Sequence, residues 1–272
     1  MLNVIRPDGN GVSATDRGLA YGDGLFETIR MRGRQALLRS HHLDRMVVDA
    51  GRLGIPVERS DLDAEIGRSG SDLASQYGDD DWVLKLVLTR GGGGRGYRWP
   101  VECEPSLIVT SSPMPMLPPP GGVVAALSQF PLTVNPRLAG IKTLNRLEQV
   151  MASREFSGEE FELIMANADG QLLEGTRTNL IIRMEGEWVT PPVESLAVAG
   201  VMRQFALECL RASGHTIREQ IIQPALLSSP GLRGLYLVNS VVGIVAVRRL
   251  GSVDLPVDDG LETICDPLKT LE

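Results

Sequence analysis

Apolar residues in the first half of the chain follow both strand-like and helix-like spacings. Residues 25–31 and 35–39 read as two strands joined at Arg32-Gly33-Arg34, which predicts a β-hairpin. Residues 42–53 are predicted to form an amphipathic helix, because apolar side chains recur there at helical spacing. Further elements predicted in this half are a helix over 61–76 and strands over 82–89 and 106–111.

The second half shows the same mixture. A short strand is predicted over 123–127, and a helix over 143–156 with apolar residues on one side. Hairpins are predicted around the turns Asp169-Gly170 and Glu185-Gly186. The remaining elements are a helix that starts at Gly200 and runs through residue 212, and strands within 235–247. Strands and helices in both halves predict an α+β fold.

A proline-rich segment divides the chain. SSPMPMLPPPGG, residues 111–122, contains five prolines, which favour an extended connector over a helix or a sheet strand. We therefore expect a smaller N-terminal α+β domain at 1–112, a linker at 113–121 and a larger C-terminal domain at 122–272.

Composition narrows the function classes. The chain has 272 residues and a net charge of −7, which disfavours non-specific attraction to nucleic acid or to an anionic membrane. No apolar run reaches the roughly 20 residues that span a bilayer, and the start of the sequence lacks the apolar stretch of a signal peptide. The three cysteines show no metal-binding or disulfide spacing. The expected location is the cytoplasm.

Lysine is scarce, because only Lys85, Lys142 and Lys269 accompany 24 arginines among the 27 basic residues. Lys142 lies in LAGIKTLNRLEQV, where an apolar segment is predicted to turn into a helix. A desolvated lysine amine can attack a carbonyl and form a Schiff base. A solvated lysine at a helix start, in a chain with a compositional bias to arginine, is the alternative.

The segment TRGGGGRGY, residues 89–97, follows a predicted strand. Its Arg90, Arg95 and Tyr97 suit recognition of a carboxylate, and a flexible surface hairpin is the alternative. Lys85 lies in the apolar strand just before it, and there it is either an edge residue or points into a polar pocket.

Two further positions could bind a cofactor. The helix start at Gly200-Val201-Met202 could present backbone N–H groups to a phosphate, as many helix starts can. Glu174 lies between two apolar strands, where it is either a buried acceptor for a protonated ring nitrogen or a turn residue. His41 and His42 are interpreted as ordinary helix-start residues. The sequence shows neither a Ser-His-Asp arrangement nor a metal cluster, which favours cofactor chemistry.

Five segments, in order along nearly the whole chain, resemble fold-type IV pyridoxal-phosphate enzymes of the branched-chain aminotransferase-like family. They are DRGLAYGDGLFETIR (16–30), TRGGGGRGY (89–97), LAGIKTLNRLEQV (138–150), LLEGTRTNLI (172–181) and AGVMRQF (199–205). YGDGLFETIR is shared with branched-chain and D-amino-acid aminotransferases. The lysine segment and the glycine-rich segment are most similar to those of aminodeoxychorismate lyases.

The resemblance implies a two-domain fold like that of D-amino-acid aminotransferase and assigns roles to several residues. Lys142 would form a Schiff base with pyridoxal 5'-phosphate, and Glu174 would pair with the pyridinium nitrogen. The phosphate would be bound by Arg45, by the backbone N–H groups of Val201 and Met202, and by Ser240. The implied substrate pocket consists of Tyr21, Phe26, Lys85, Arg90, Arg95, Tyr97 and Asn239.

The implied activity is conversion of 4-amino-4-deoxychorismate, a small dicarboxylate, to 4-aminobenzoate and pyruvate in folate synthesis, by a homodimer. Lys85 would stand where related aminotransferases carry a carboxylate-binding arginine. The aminotransferases carry a tyrosine a few residues beyond the lysine, and this chain has Asn145-Arg146-Leu147 there. A D-amino-acid or branched-chain aminotransferase remains one alternative, and a cofactor-carrying protein without turnover is another.

Overall fold

The computed structural model describes residues 2–7, 9, 11–78 and 80–270, with side chains up to Leu268. These residues divide into two compact units. The first contains the chain up to Pro115 together with Lys142–Asn145, and the second contains Met116–Ile141 and Arg146–Lys269. The segment that carries Lys142 thus belongs to the first unit, although it follows the proline-rich segment in sequence.

The first unit is built on a five-stranded sheet with two long helices. Its strands are ordered β1-β5-β4-β2-β3; β1 is parallel to β5 and the other neighbours are antiparallel. The elements are β1 Asn3–Ile5, α1 Arg17–Tyr21, β2 Gly24–Arg32, β3 Gln35–Ala36, α2 Arg39–Leu53, α3 Arg59–Leu73, a 3-10 turn at Ala74–Gln76, β4 Asp81–Thr89 and β5 Ser106–Pro113.

The core of this unit lies on one face of the sheet. Alternate residues of β2 and β4 are buried together with apolar residues of α2 and α3, such as Met46 and Leu62. Full burial of each large apolar side chain contributes about 1.5–3 kcal/mol, so this face fixes the register of the strands. The opposite face carries Phe26 and Thr28 on β2 and Lys85 on β4. The strand partners of Lys85 are Thr28 on β2 and Thr110 on β5.

The lysine segment extends this sheet instead of starting a helix. The Phe26 N–H donates to the Lys142 carbonyl at 3.0 Å, and the Leu144 N–H donates to the Gly24 carbonyl at 3.0 Å. Thr143 forms an antiparallel bridge with Leu25. The predicted helix start at 143 is therefore wrong, because these backbone groups pair with β2; α4 spans only Leu147–Ala152, followed by a 3-10 turn.

The second unit contains a nine-stranded sheet with the order β11-β10-β9-β12-β13-β6-β7-β8, and β14 pairs with β13. Because β8 also pairs with β9, six strands form a closed circuit of pairings. The elements besides α4 are β6 Val123–Leu127, β7 Glu162–Ala166, β8 Leu172–Gly175, β9 Asn179–Met184, β10 Glu187–Thr190, α5 Val201–Ala212, β11 Ile217–Glu219, β12 Leu232–Asn239, β13 Gly243–Leu250, β14 Val253–Asp254 and α6 Gly260–Ile264.

Most predicted elements are confirmed, including both hairpin turns and the helix that follows Gly200. The strand predicted over 35–39 ends at Ala36, because Leu38 adopts a left-handed conformation, with φ of 53°, that begins α2. Among the residues that the structure describes, no helix is both long and apolar enough to cross a bilayer.

Candidate active site

Lys142 lies over an aromatic ring on the face of the first sheet that is opposite the core. Its Nζ is 4.2 Å from the centre of the Phe26 ring, and the Nζ of Lys85 is 5.3 Å from the same centre. The Lys142 side chain is half-buried, whereas Lys85 is exposed. Two of the three lysines of the chain thus contact the same aromatic ring.

The backbone of Lys142 is held on both sides. Its carbonyl accepts the Phe26 N–H, and its own N–H donates to Oδ2 of Asp49 at 3.3 Å. Asp49 lies on α2 and is only 5% exposed. Burial raises its pKa to about 6, although the Lys142 N–H and the charge of Arg45 act in the opposite direction.

A buried ionic cluster lies next to this segment. Glu27 accepts two hydrogen bonds from Arg45, from Nε at 2.7 Å and from Nη2 at 2.6 Å, and pairs with Nδ1 of His42 at 2.6 Å. Burial by itself would raise the pKa of Glu27, but Arg45 and His42 outweigh it and lower the pKa to about 2. The pair fixes the plane of the Arg45 guanidinium, which is the predicted phosphate ligand.

His42 is not the ordinary helix-start residue that we expected. It is fully buried, and burial lowers its pKa against the opposing effect of Glu27. Its Nε2 atom is buried and has no hydrogen-bond partner among the described residues. Sequence reasoning also missed Glu27, although strand alternation places it between Leu25 and Ile29 on the apolar face of β2 and could have revealed it.

The second unit holds Glu174 and a helix start together. Glu174, on β8, is 3% exposed, and its Oε2 accepts the Val198 N–H at 3.0 Å. Asn179 lies opposite Glu174 on β9, where its Nδ2 donates to the Val198 carbonyl at 2.9 Å and its Oδ1 accepts the Gly200 N–H at 3.0 Å. These two side chains fix the backbone that leads into α5.

Gly200 completes this arrangement. A Cβ atom there would overlap Oδ1 of Asn179, so this position requires glycine. No side chain of the described part of the chain caps this end of α5, and the first-turn amides of Val201 and Met202 have no acceptor within the helix. Such amides are suited to bind an anion.

Glu162 supports the strand ends from which Glu174 and Asn179 project. It is fully buried and accepts hydrogen bonds from the hydroxyls of Thr176 and Thr178 at 2.6 and 2.9 Å, and from backbone N–H groups of the same turn. The turn between β8 and β9 is therefore fixed by one carboxylate.

Ser240 and Asn239 lie at the turn between β12 and β13. Oδ1 of Asn239 accepts the N–H groups of Val241 and Val242 at 2.9 and 2.8 Å, and its Nδ2 donates to the Arg177 carbonyl at 3.3 Å. Asn239, expected to face the substrate, thus closes this turn. Ser240 is half-buried beside it.

Arg90 was expected to bind a substrate carboxylate, but its guanidinium is buried in another role. It donates to both oxygens of Asp23 at 2.8 and 2.9 Å and to the carbonyls of Leu53 and Gly54. It also lies 4.4 Å from the ring centre of Trp99. Arg90 is therefore a structural anchor at the start of the glycine-rich segment, and we do not include it among the substrate ligands.

Residues 92–97 of the glycine-rich segment are exposed, but their backbone is attached to the rest of the unit. Arg17 donates to the carbonyls of Gly96 and Tyr97 at 3.0 and 3.1 Å. The ring of Tyr97 lies 5.5 Å from that of Tyr21, and the side chains of Arg95 and Tyr97 are exposed. Arg95, Tyr97 and Tyr21 remain candidates for contact with a substrate.

Comparison with known proteins identifies a family and several relatives of this chain. Residues 24–250 match the family model for amino-transferase class IV. The crystal structure of 4-amino-4-deoxychorismate lyase from Pseudomonas aeruginosa has a TM-score of 0.86 and 36% sequence identity, and the match covers 94% of this chain and 93% of that chain. The aminodeoxychorismate lyase of Vibrio harveyi is 29% identical over 249 residues, 89% of each sequence.

An aminotransferase is also among the relatives. The D-alanine aminotransferase of Bacillus licheniformis is 27% identical over 214 residues, which cover 78% of this chain and 74% of that protein. The structural match confirms the predicted fold-type IV architecture. Since the family model spans most of the sequence, the chain belongs to the class IV amino-transferase family, whose members depend on pyridoxal 5'-phosphate.

Proposed function

We propose that this chain is an aminodeoxychorismate lyase, which converts 4-amino-4-deoxychorismate to 4-aminobenzoate and pyruvate in folate synthesis. The observation that carries the proposal is the position of Lys142, whose amine lies over Phe26 beside Lys85 while its backbone is fixed by Asp49 and Phe26. The likeness to two proteins named as this lyase supports it.

The residues present fit pyridoxal 5'-phosphate. Lys142 is an amine for its aldehyde, and Arg45 and the first-turn amides of α5 are donors for its phosphate. The start of α5, where no side chain of the described residues caps the helix, and the buried carboxylate of Glu174 fit an anionic group and a protonated ring nitrogen respectively. We propose that the Ser240 hydroxyl also binds the phosphate. When bound, the cofactor supplies an electron sink for the carbon that carries the substrate nitrogen.

The residues of the chain have separate tasks in this reaction. Lys142 Nζ takes the proton from the ring carbon that bears the amino group. The bond from the neighbouring ring carbon to the enolpyruvyl oxygen breaks, enolpyruvate leaves and takes up a proton to become pyruvate, and the substrate ring becomes aromatic. Glu174 keeps the cofactor nitrogen protonated, because a carboxylate stabilises that positive charge.

Lys85 is the favoured ligand for a carboxylate of the substrate. Lys85 is exposed, and its strand partners are Thr28 on β2 and Thr110 on β5. Its ammonium group lies next to the Phe26 ring. Phe26 itself provides an apolar surface for the substrate ring. Arg95, Tyr97 and Tyr21 are assigned to the remaining substrate contacts.

The second candidate is a D-amino-acid or branched-chain aminotransferase, favoured by the match to a D-alanine aminotransferase. This chain has Asn145 and Arg146 where the aminotransferases carry their tyrosine. Both side chains donate to nearby backbone carbonyls, Asn145 to Gly22 at 3.1 Å and Arg146 to Ile141 at 2.9 Å. This difference supports the lyase.

The test has two steps. Borohydride reduction of the protein with bound cofactor, followed by peptide mapping, should place the cofactor mass on Lys142, and the Lys142→Ala variant should show no label. Incubation with 4-amino-4-deoxychorismate should then release 4-aminobenzoate and pyruvate in equal amounts. Label on another residue, or pyridoxamine phosphate and a keto acid formed in proportion to enzyme, would contradict the lyase.

We also propose a homodimer in the cytoplasm. The short helix α4 exposes two apolar side chains, Leu147 at 72% and Val150 at 58%, which a second copy could cover. Light scattering should give the mass of two chains, and Leu147→Glu together with Val150→Glu should give one chain if this surface is the interface. A wild-type mass of one chain would refute the dimer.

A further inference from the structure

We propose that Asp49 is a positioning residue for Lys142: its buried carboxylate holds the Lys142 backbone amide and so sets where the lysine amine lies over Phe26. The inference rests on the proposed function, since it concerns the lysine that would carry the cofactor. It assigns a task to a residue that sequence reasoning did not select.

The hydrogen bonds of residues 142–144 show why the Asp49 carboxylate matters for the position of Lys142. Residues 142–144 are attached to β2 by the Phe26 N–H to the Lys142 carbonyl, by the Thr143–Leu25 bridge and by the Leu144 N–H to the Gly24 carbonyl. The Lys142 N–H donates to Oδ2 of Asp49 on α2 at 3.3 Å. Asp49 therefore joins the lysine segment to α2.

The anchor itself is well fixed. Asp49 is buried on α2, four residues after Arg45, whose guanidinium is held by the bidentate contact with Glu27. Arg52, one turn further along, lies 3.9 Å from Oδ1 of Asp49. Movement of Asp49 would therefore require movement of α2, which is packed on the sheet through Met46 and Ala50.

A carboxylate costs more to bury than an amide, yet either can accept an N–H. Substitutions of Asp49 can therefore separate the effect of losing its hydrogen-bond acceptor from the effect of losing its charge. Asp49→Asn keeps an oxygen acceptor of the same shape, whereas Asp49→Ala removes it. Asp44→Ala is the matched control, because Asp44 lies on the same helix but is largely exposed and pairs with Arg59 at 3.0 Å.

The first readout needs no cofactor. Hydrogen exchange of a peptide covering residues 141–146 should be faster in Asp49→Ala apoprotein by roughly tenfold, the effect of losing one hydrogen bond. Asp49→Asn and Asp44→Ala should exchange as the wild type does. Wild-type exchange in Asp49→Ala would overturn the proposal, and so would equally fast exchange in Asp49→Asn and Asp49→Ala. If Asp49→Ala does not fold, Asp49→Leu, which fills the buried space, replaces it.

The second readout is covalent attachment of pyridoxal phosphate to Lys142, followed by absorbance. The equilibrium constant for attachment of the cofactor should fall by roughly tenfold in Asp49→Ala and should be close to the wild-type value in Asp49→Asn. If wild-type protein takes up no cofactor at Lys142, the proposed function fails, while the exchange result still decides the role of Asp49. If wild type and Asp49→Ala attach the cofactor equally well, only the positioning role fails.

Discussion

Glu27 shows how one residue can make a site rigid. It lies on the apolar face of β2, where an unpaired carboxylate would be strongly disfavoured, and it holds both Arg45 and His42. The orientation of the predicted phosphate ligand is thereby set before any ligand binds. Sequence reasoning found Arg45 through the family resemblance but did not find the residue that orients it.

Removal of the Glu27 charge should destabilise the protein strongly. Glu27→Gln leaves the nearly buried Arg45 guanidinium without its counter-ion, so we expect a loss of about 3–5 kcal/mol in the free energy of unfolding at neutral pH. Urea denaturation measures it. Asp63→Asn, which removes the half-exposed partner of Arg39, should cost no more than about 1 kcal/mol. Equal losses in the two variants would show that the Glu27 cluster adds no special stability.

Asp49 should make stability depend on pH in the opposite direction from most carboxylates. Because burial raises its pKa from 3.8 to about 6, its contribution to the free energy of unfolding falls as the pH rises from about 4 through about 6. Asp49→Asn has no such titration. Its stability relative to wild type should therefore increase over this range, by on the order of 2–3 kcal/mol.

Glu27 does not mask this effect. Its pKa is lowered to about 2, so the stability that it provides is present above 4.5 and is lost only as the pH falls toward 2. Since Glu27 and His42 are present in both proteins, the difference between Asp49→Asn and wild type at pH 4.5 and pH 7 isolates Asp49. A difference between Asp49→Asn and wild type that does not change between these pH values would contradict the raised pKa.

At the scale of elements, periodicity predicted most strands and helices but misplaced the lysine segment. Leu144 and Leu147 fit a helical pattern, yet the backbone of 142–144 pairs with β2, which lies more than a hundred residues earlier in the chain. Local spacing carries no information about such a partner. The same reason explains why the sequence did not reveal the structural role of Arg90. Its partners Asp23, Leu53 and Gly54 are distant in sequence.

The start of α5 was easier to predict, because a helix start has a local signal. Gly200 and the amides that follow it lie where the sequence indicated. What the sequence did not show is that Asn179 occupies the space of a Cβ atom at Gly200 and holds the preceding backbone. This contact makes the helix start sensitive to a single methyl group.

Gly200→Ala should weaken cofactor binding. The added methyl group must displace Asn179 or the backbone of α5, so we expect the Kd for pyridoxal phosphate to rise by roughly tenfold or more, with about 1–3 kcal/mol lost in stability. Fluorescence titration and thermal unfolding measure the two effects. Gly51→Ala is the control, because a Cβ there meets nothing within 4 Å. It lies in α2 and should be neutral or stabilising. Unchanged affinity in Gly200→Ala would argue against a phosphate at this helix start.

At the scale of the whole molecule, the first unit combines residues that are far apart in the sequence. The residues up to Pro115 supply the sheet and helices, and Lys142–Asn145 return to pair with β2. Met116–Ile141 and Arg146–Lys269 belong to a second unit with its own core.

Hydrogen exchange in increasing denaturant should reveal this division. A peptide over 142–145 should lose protection together with β2 and β4, and not with the flanking residues of the second unit, because its hydrogen bonds are made to β2. Mass spectrometry of peptides from these regions is the measurement. Loss of protection in step with β6 and α4 would mean that the segment opens with its sequence neighbours.

On the ribosome, β2 and β4 emerge well before the lysine segment does. Synthesis at ~5–20 residues per second leaves a few seconds during which the edge of β2 at Gly24–Phe26 has no partner from the lysine segment. During that time the nascent chain has Lys85 for contact with Phe26 but not Lys142. A chain released before residue 142 would contain Glu27 and Arg45 but not Lys142, so it could not form the proposed covalent bond between Lys142 and the cofactor.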